Sequence, residues 1–257
     1  MIYAPRPTSE DLDAKYRYLL PHGPIGVMDP EIPEIDGPRK RQMFVSLRRF
    51  LPRHPCRILD YGGGDGRLLE EFVERGDDCY LVDYSVRVIR GVTKLADTLK
   101  GVEPGAQFDI IICSHVLEHV FDPLEVLSAL RGLLVTGGVL FVEVPLELWR
   151  SVPLASEPVT HVNFFSDVSM QYLLARSGYS VARCTIGEMP LSGNRCSVVR
   201  AFARNTGRAD RLPLNGYSRT LQLISPNLAT RVGWLMRQPS RILPAVAHRT
   251  SRRHVGA

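Results

Sequence analysis

The sequence predicts an α/β protein built on a doubly wound, mostly parallel sheet, with an antiparallel edge pair at the C-terminal end of the domain. Three observations carry that expectation. Between residues 56 and 145 short apolar strands alternate with helix-like segments, the pattern of a parallel sheet covered on both faces. A glycine-dense loop, "GGGDG" at 62–66, lies between the strand-like "CRILDY" and the helix-like "GRLLEEFVERG". Near the end of this region "YSVARCTI" and "CSVVRAFAR" follow each other closely, which suits neighbouring antiparallel strands.

In order along the chain, residues 1–50 form a proline-rich lead-in that turns helical in "PRKRQMFVSLRRFL", where Met43, Phe44, Leu47 and Phe50 or Leu51 recur at helical spacing. Residues 51–204 form the main domain. "CRILDY", "CYLVDYS", "FDIIICS" and "VLFVEVP" read as strands. Gly76 closes the first helix, and "DPLEVLSALRGLLVTGG" reads as a helix capped by Asp122 with Pro123 in its first turn. "SDVSMQYLLARSG" reads as a helix capped by Ser166 and stopped by Gly178. "VRVIRGVTKLADTLKGV" supports two readings: one helix through Val88, Val92, Leu95 and Leu99, or, given Gly91 in the middle and the β-branched residues, a short helix, a strand "VTKL" and a turn. Residues 205–257 form a basic tail, in which "SPNLATRVGWLMRQPSRIL" presents Leu228, Val232, Leu235 and Met236 as a stripe beside arginines.

Composition bounds the function classes. The hydrophobic and charged fractions, 44% and 23%, are those of an ordinary globular protein. No run approaches the apolar length of a membrane span, and the N-terminus lacks a secretory signal pattern. The five cysteines are scattered, without a Cys-x-x-Cys pair, which argues for a reducing, cytoplasmic setting. The net charge of +5 is uneven: the 53 residues from Asn205 carry nine arginines and one acid, so the remainder is slightly acidic. The tail suits an anionic membrane surface or a lipid-linked substrate; packing on the domain and a homodimer interface are the plainer readings.

The glycine loop reads Asp60-x-Gly62-x-Gly64-x-Gly66. In open α/β sheets the crevice at the strands' carboxyl ends is where ligands bind. A dinucleotide motif spaces its glycines G-x-G-x-x-G around a pyrophosphate; here the third glycine comes one residue early, and Asp60 and Asp65 flank the turn. Two carboxylates repel a pyrophosphate and suit a cationic ligand. The next strand ends in Asp83, placed to accept ribose hydroxyls. An adenosine with a cationic, phosphate-free extension is S-adenosylmethionine.

"LDYGGGDG", "VDYS", "FDIIICSHVLEHVFDP" and "GGVLFVEVP" together resemble the motifs of class I S-adenosylmethionine-dependent methyltransferases, whose Rossmann-like fold the expected sheet matches. "THVNFFSDVSMQYLLARSGYSV" is similar to one broad subgroup, many of whose members methylate sugars, lipids or natural products. The resemblance runs from about Arg53 to Arg204. It implies a third strand in "VTKLAD", ending in Asp97 against the adenine, and places Tyr84 and Ser114 in the cofactor pocket, with His115 facing the cofactor. It also places His161 in the acceptor region, either as the base that removes an acceptor proton or as an anchor of its loop, with Glu143, Glu147 and Glu157 as candidate partners.

"SHVLEHV" contains His-x-x-Glu-His, formally an inverted zinc-peptidase motif. That reading needs His115 and His119 on one helical face and a third ligand; directly after a buried strand, the tract reads as a turn ordered by Glu118 and His119, and no metal centre is expected. Nucleic acid is a poor partner, because "CSHV" stands where base-amine methyltransferases carry Asn/Asp-Pro-Pro-aromatic. Three functions stay open: an O-methyltransferase of a sugar or glycan hydroxyl, a methyltransferase of a small natural product or lipid head group, and a cofactor-binding protein without transfer activity.

Overall fold

The structure, a computed structural model, describes residues 8, 37–51, 55–147, 161–191 and 194–208. Most of the lead-in and the amphipathic tail segment lie outside the described residues. Seven strands form one sheet: β1 (Arg57–Tyr61), β2 (Asp78–Val82), β3 (Val92–Ala96), β4 (Phe108–Ser114), β5 (Leu134–Pro145), β6 (Ser180–Leu191) and β7 (Asn194–Arg204), in the order β3-β2-β1-β4-β5-β7-β6. The first five run parallel, and β7 lies antiparallel between β5 and the edge strand β6. The expected edge pair forms, with the later strand on the inside.

Among the described residues four α-helices cover the sheet: α1 (Gly37–Leu47), α2 (Glu70–Arg75), α3 (Pro123–Gly132) and α4 (Asp167–Arg176). Strand alternation sends successive side chains to opposite faces. Ile58, Ile110, Ile112 and Phe141 meet Met43, Leu47 and Phe72 of α1 and α2. Leu59, Ile111, Cys113, Leu140 and Val142 meet Leu127, Leu130, Met170 and Leu174 of α3 and α4. Each fully buried aliphatic side chain contributes roughly 1.5–3 kcal/mol, so the apolar strands make both faces obligatory interfaces.

Helix starts follow the sequence. Asp122 accepts from the backbone N–H of Leu124 and Glu125 at 2.8 and 3.1 Å, with Pro123 in the first turn. Ser166 and Ser169 form a reciprocal capping box at α4. Each cap is worth about 1 kcal/mol. Beyond α4, the buried Tyr179 donates its hydroxyl to Leu127 O at 2.9 Å and ties that end to α3.

Two local expectations are corrected. "VTKL" is a strand, β3, but no helix precedes it. Asp83 accepts from Ser85 N, and Ser85 Oγ bonds the backbone of Arg87; such side-chain bonds compete with a helical turn, in a segment already rich in β-branched residues. The α3 helix ends at Gly132, and β5 begins at Leu134 rather than after the glycine pair. Register with β4 shifts between Phe108 and Ile110, and Gly137, at φ 83°, supplies the left-handed residue that this irregularity requires.

The strand order reverses at β1 and β4. The loop after β1 and the turn after β4 therefore share one crevice at the carboxyl end of the sheet, the ligand position of such folds.

Candidate functional site

The glycine loop closes on the protein's own atoms. Gly62 has φ 74°, and a Cβ there would lie 2.4 Å from Val116 Cγ2 in the turn after β4. A Cβ on Gly63 would lie 2.2 Å from the Asp60 carboxylate. Asp60 is 1% exposed beneath the loop, and neither of its oxygens has a hydrogen-bond partner among the described residues. Burial pushes its pKa up to about 7; Arg39 opposes the rise and Asp83 adds to it. A buried carboxylate with no donor is costly, so this one calls for a ligand that brings positive charge or N–H groups. Asp65 plays no such part. Burial raises its pKa, but hydrogen bonds from Arg67 outweigh that and hold it below the ordinary carboxylate value. Of the two acids expected to favour a cation, only Asp60 lacks a partner of its own.

Asp83 stands at the end of β2, half-buried, accepting from Gly64 N at 3.0 Å and Ser85 N at 2.7 Å. Burial lifts its pKa against those two bonds and Lys94. It thereby ties the second strand to the glycine loop, and its oxygens retain further lone pairs for a ligand. Tyr84, next to it, is exposed. Asp97 follows β3, largely exposed, with Lys94 Nζ at 2.5 Å.

The end of β4 carries a network in which Ser114 and Glu143, both singled out in the sequence, meet Arg39 and Arg200, which are not. Ser114 is buried and accepts from Arg39 Nη2 at 3.0 Å; its own hydroxyl donates to Glu143 Oε1 at 3.3 Å. Glu143, 2% exposed, also accepts from Arg200 Nε at 2.8 Å, its partner in register on β7. Arg39 reaches this point from α1, 75 residues away in sequence; among the described residues its buried Nε has no hydrogen-bond partner.

His115 has φ 58°, the one non-glycine residue with positive φ among those described. Its N–H donates to Glu143 O at 2.8 Å. The tract 115–119 is a turn rather than a helix, so His115 and His119 do not share a helical face and the peptidase geometry fails. The turn is instead clamped by the segment that precedes α4. Glu118 O accepts from Val162 N and Asn163 N, and Asn163 Nδ2 donates to Leu117 O and Val120 O at 2.9 and 2.7 Å. This brings His161 against His119, ring centroids 4.6 Å apart. His161 Nδ1 pairs with Glu147 Oε2, which selects Glu147 among the expected partners; Glu157 lies outside the described residues. One ligand atom each from Glu118, His119 and His161 falls within 4.8 Å of the others.

Comparison with known proteins agrees with this architecture. The chain is 31% identical over 131 residues to a ubiquinone biosynthesis O-methyltransferase of Xanthomonas campestris, covering 42% of this chain and 53% of that one. It is 36% identical over 121 residues to the tRNA 5-carboxymethoxyuridine methyltransferase of Escherichia coli, covering 40% and 46%. The chain thus spans about half the length of the curated relatives it matches. Among solved structures, the 1,6-didemethyltoxoflavin-N1-methyltransferase of Burkholderia thailandensis, bound to 1,6-didemethyltoxoflavin and S-adenosylhomocysteine, superposes with a TM-score of 0.59 at 17% identity, covering 81% of this chain and 94% of that one. Residues 36–183, more than half of the 257-residue chain, match the model of a methyltransferase domain family, and the chain belongs to that family.

Proposed function

We propose that the protein is an S-adenosylmethionine-dependent O-methyltransferase acting on a hydroxyl of a small molecule, with sugar and glycan hydroxyls as the first acceptor class. The observation that carries the donor is the buried Asp60 carboxylate under the glycine loop, without a hydrogen-bond partner among the described residues. A cationic ligand supplies what that carboxylate lacks, and Asp83 is placed for ribose hydroxyls at the end of the adjoining strand. Gly62, Gly64 and Gly66, all at positive φ, shape the loop that faces the ligand, while Tyr84, Asp97, Ser114 and His115 border it. Bound, the donor supplies an electrophilic methyl carbon whose leaving thioether needs no proton.

The chain's own contribution is therefore alignment and removal of the acceptor proton. The Glu147–His161 pair supports proton removal. The carboxylate holds Nδ1, which directs Nε2 to the acceptor and stabilises the imidazolium that forms. The relative named as an O-methyltransferase of ubiquinone biosynthesis supports transfer to oxygen and keeps a natural-product or lipid head-group hydroxyl as the second reading. The basic tail, outside the described residues, is the proposed contact for an anionic surface or a lipid-linked acceptor.

The test is methyl transfer from isotopically labelled donor to a panel of sugars, glycans, phenols, lipid head groups and tRNA, with products resolved by mass and by the atom labelled. O-methyl products among the sugars or glycans are expected. Transfer to nitrogen or carbon alone, or none across the panel, would overturn the reading.

A further inference from the structure

We propose that Glu118, His119 and His161 form a binding site for one divalent transition-metal ion, which holds the acceptor hydroxyl during methyl transfer. The three side chains come from two segments 42 residues apart, and their ligand atoms already lie within 4.8 Å of one another. Two imidazoles and one carboxylate on a common side form the donor set that binds ions such as Mn2+, Fe2+, Co2+ or Zn2+ while leaving coordination positions open.

Glu118 supplies an independent reason. It is 1% exposed, and neither carboxylate oxygen has a hydrogen-bond partner among the described residues. Among the described residues, two groups able to carry positive charge approach it, His115 Nδ1 at 3.3 Å and His119 Nε2 at 3.9 Å. A second buried carboxylate thus lacks donors at the acceptor end of the crevice, as Asp60 does at the donor end. The surroundings are built as a metal site's are. Glu147 on Nδ1 of His161 fixes the tautomer and ring orientation, the usual outer partner of a metal-binding imidazole. The hydrogen bonds of Asn163 and of the Glu118 carbonyl lock the two ligand-bearing segments together before any ion arrives.

This inference rests on the reading above only in taking the acceptor to be a hydroxyl. With an ion present, Nε2 of His161 becomes a ligand and the ion takes over the acidification. The coordinated O–H gives its proton to water, the oxygen lone pair forms the bond to the methyl carbon, and the carbon–sulfur pair leaves with the thioether. Nothing is oxidised or reduced.

The experiment uses the full, untagged chain after chelator treatment. Co2+ is titrated by visible absorption, and Zn2+, Mn2+ and Mg2+ by calorimetry. Expected are one equivalent of Co2+ with nitrogen–oxygen ligand-field bands, tighter binding of Zn2+ and Mn2+ than of Mg2+, and loss of that equivalent in His119→Ala and Glu118→Gln. Glu147→Gln, which leaves the ligands in place, should weaken binding by about 10–100-fold. No stoichiometric binding, a thiolate charge-transfer band, or binding undiminished in both ligand variants would overturn the site. Ion binding without transfer to any hydroxyl would instead refute the proposed reaction and leave the site standing. Transfer unaffected by chelation, with no ion bound, would do the reverse.

Discussion

Asp60 offers the sharpest test of how the donor end of the crevice works. Its carboxyl is buried and its pKa is pushed up to about 7 from an ordinary value of 3.8. The folded protein therefore binds a proton there that the unfolded chain has released, so between those two values this group's contribution to stability falls as pH rises. Ionisation above pH 7 costs, over the whole interval, about 4 kcal/mol at roughly 1.4 kcal/mol per unit. Within a practical range, moving from pH 8 to pH 5.5 should add about 2 kcal/mol of stability from Asp60 alone. For a chain of this size that is a rise of about 4–8 °C in melting temperature. The assay is thermal unfolding, followed by circular dichroism without ligand, of wild type and Asp60→Asn across that range. The difference between the two profiles isolates Asp60 from Asp83, whose raised pKa acts in the same direction. Asp60→Asn should flatten the profile and be the more stable protein at pH 8. A cationic donor stabilises the ionised form, so its affinity for wild type should rise with pH through 7 and that rise should vanish in the variant. Parallel stability profiles would refute the claim that this carboxylate is held without a partner in the folded protein.

Other perturbations follow from the same geometry. Asp83→Ala removes the acceptor of two backbone N–H groups and should weaken S-adenosylmethionine by about 1–3 kcal/mol in calorimetry; unchanged affinity would contradict the ribose assignment. His161→Ala should keep donor affinity and lose turnover by roughly 10²–10⁴-fold, so undiminished turnover would exclude His161 from the chemistry. Gly62→Ala sets a Cβ against Val116 Cγ2 at φ 74° and should cost about 1–3 kcal/mol in denaturant unfolding. Val116→Ala in the same chain should recover the steric part and leave the backbone strain; equal losses in the single and double variants would show that the contact contributes nothing.

Apolar periodicity and end signals carry most of the architecture. The runs "CRILDY" and "FDIIICS" are central strands because no amphipathic alternative exists for them, and Asp122 and Ser166 cap helices through bonds that span only two or three residues. The loop preceding β3 escapes a reading from spacing, because Val88 and Val92 carry helical periodicity while Ser85 and Asp83 hold the backbone away from it. The glycines are legible as a tight loop at a strand's carboxyl end, but not the atoms that exclude a side chain at Gly62: Val116 lies 54 residues further on. Asp65 looks equivalent to Asp60 in a string of letters, yet it is exposed enough to meet Arg67.

The elements and the two-sided burial of the sheet are written in the residues themselves, as are the glycine loop and the acids from which the donor site is proposed. Each depends on local periodicity or on neighbours within one loop. Folding alone brings Arg39 of α1 to Ser114 and Glu143, sets Glu147 on His161, and turns Glu118 and His119 toward that histidine. Those meetings are set by how the sheet twists and how the chain returns across it. Spacing along the sequence carries no record of distances created by packing segments far apart in the chain.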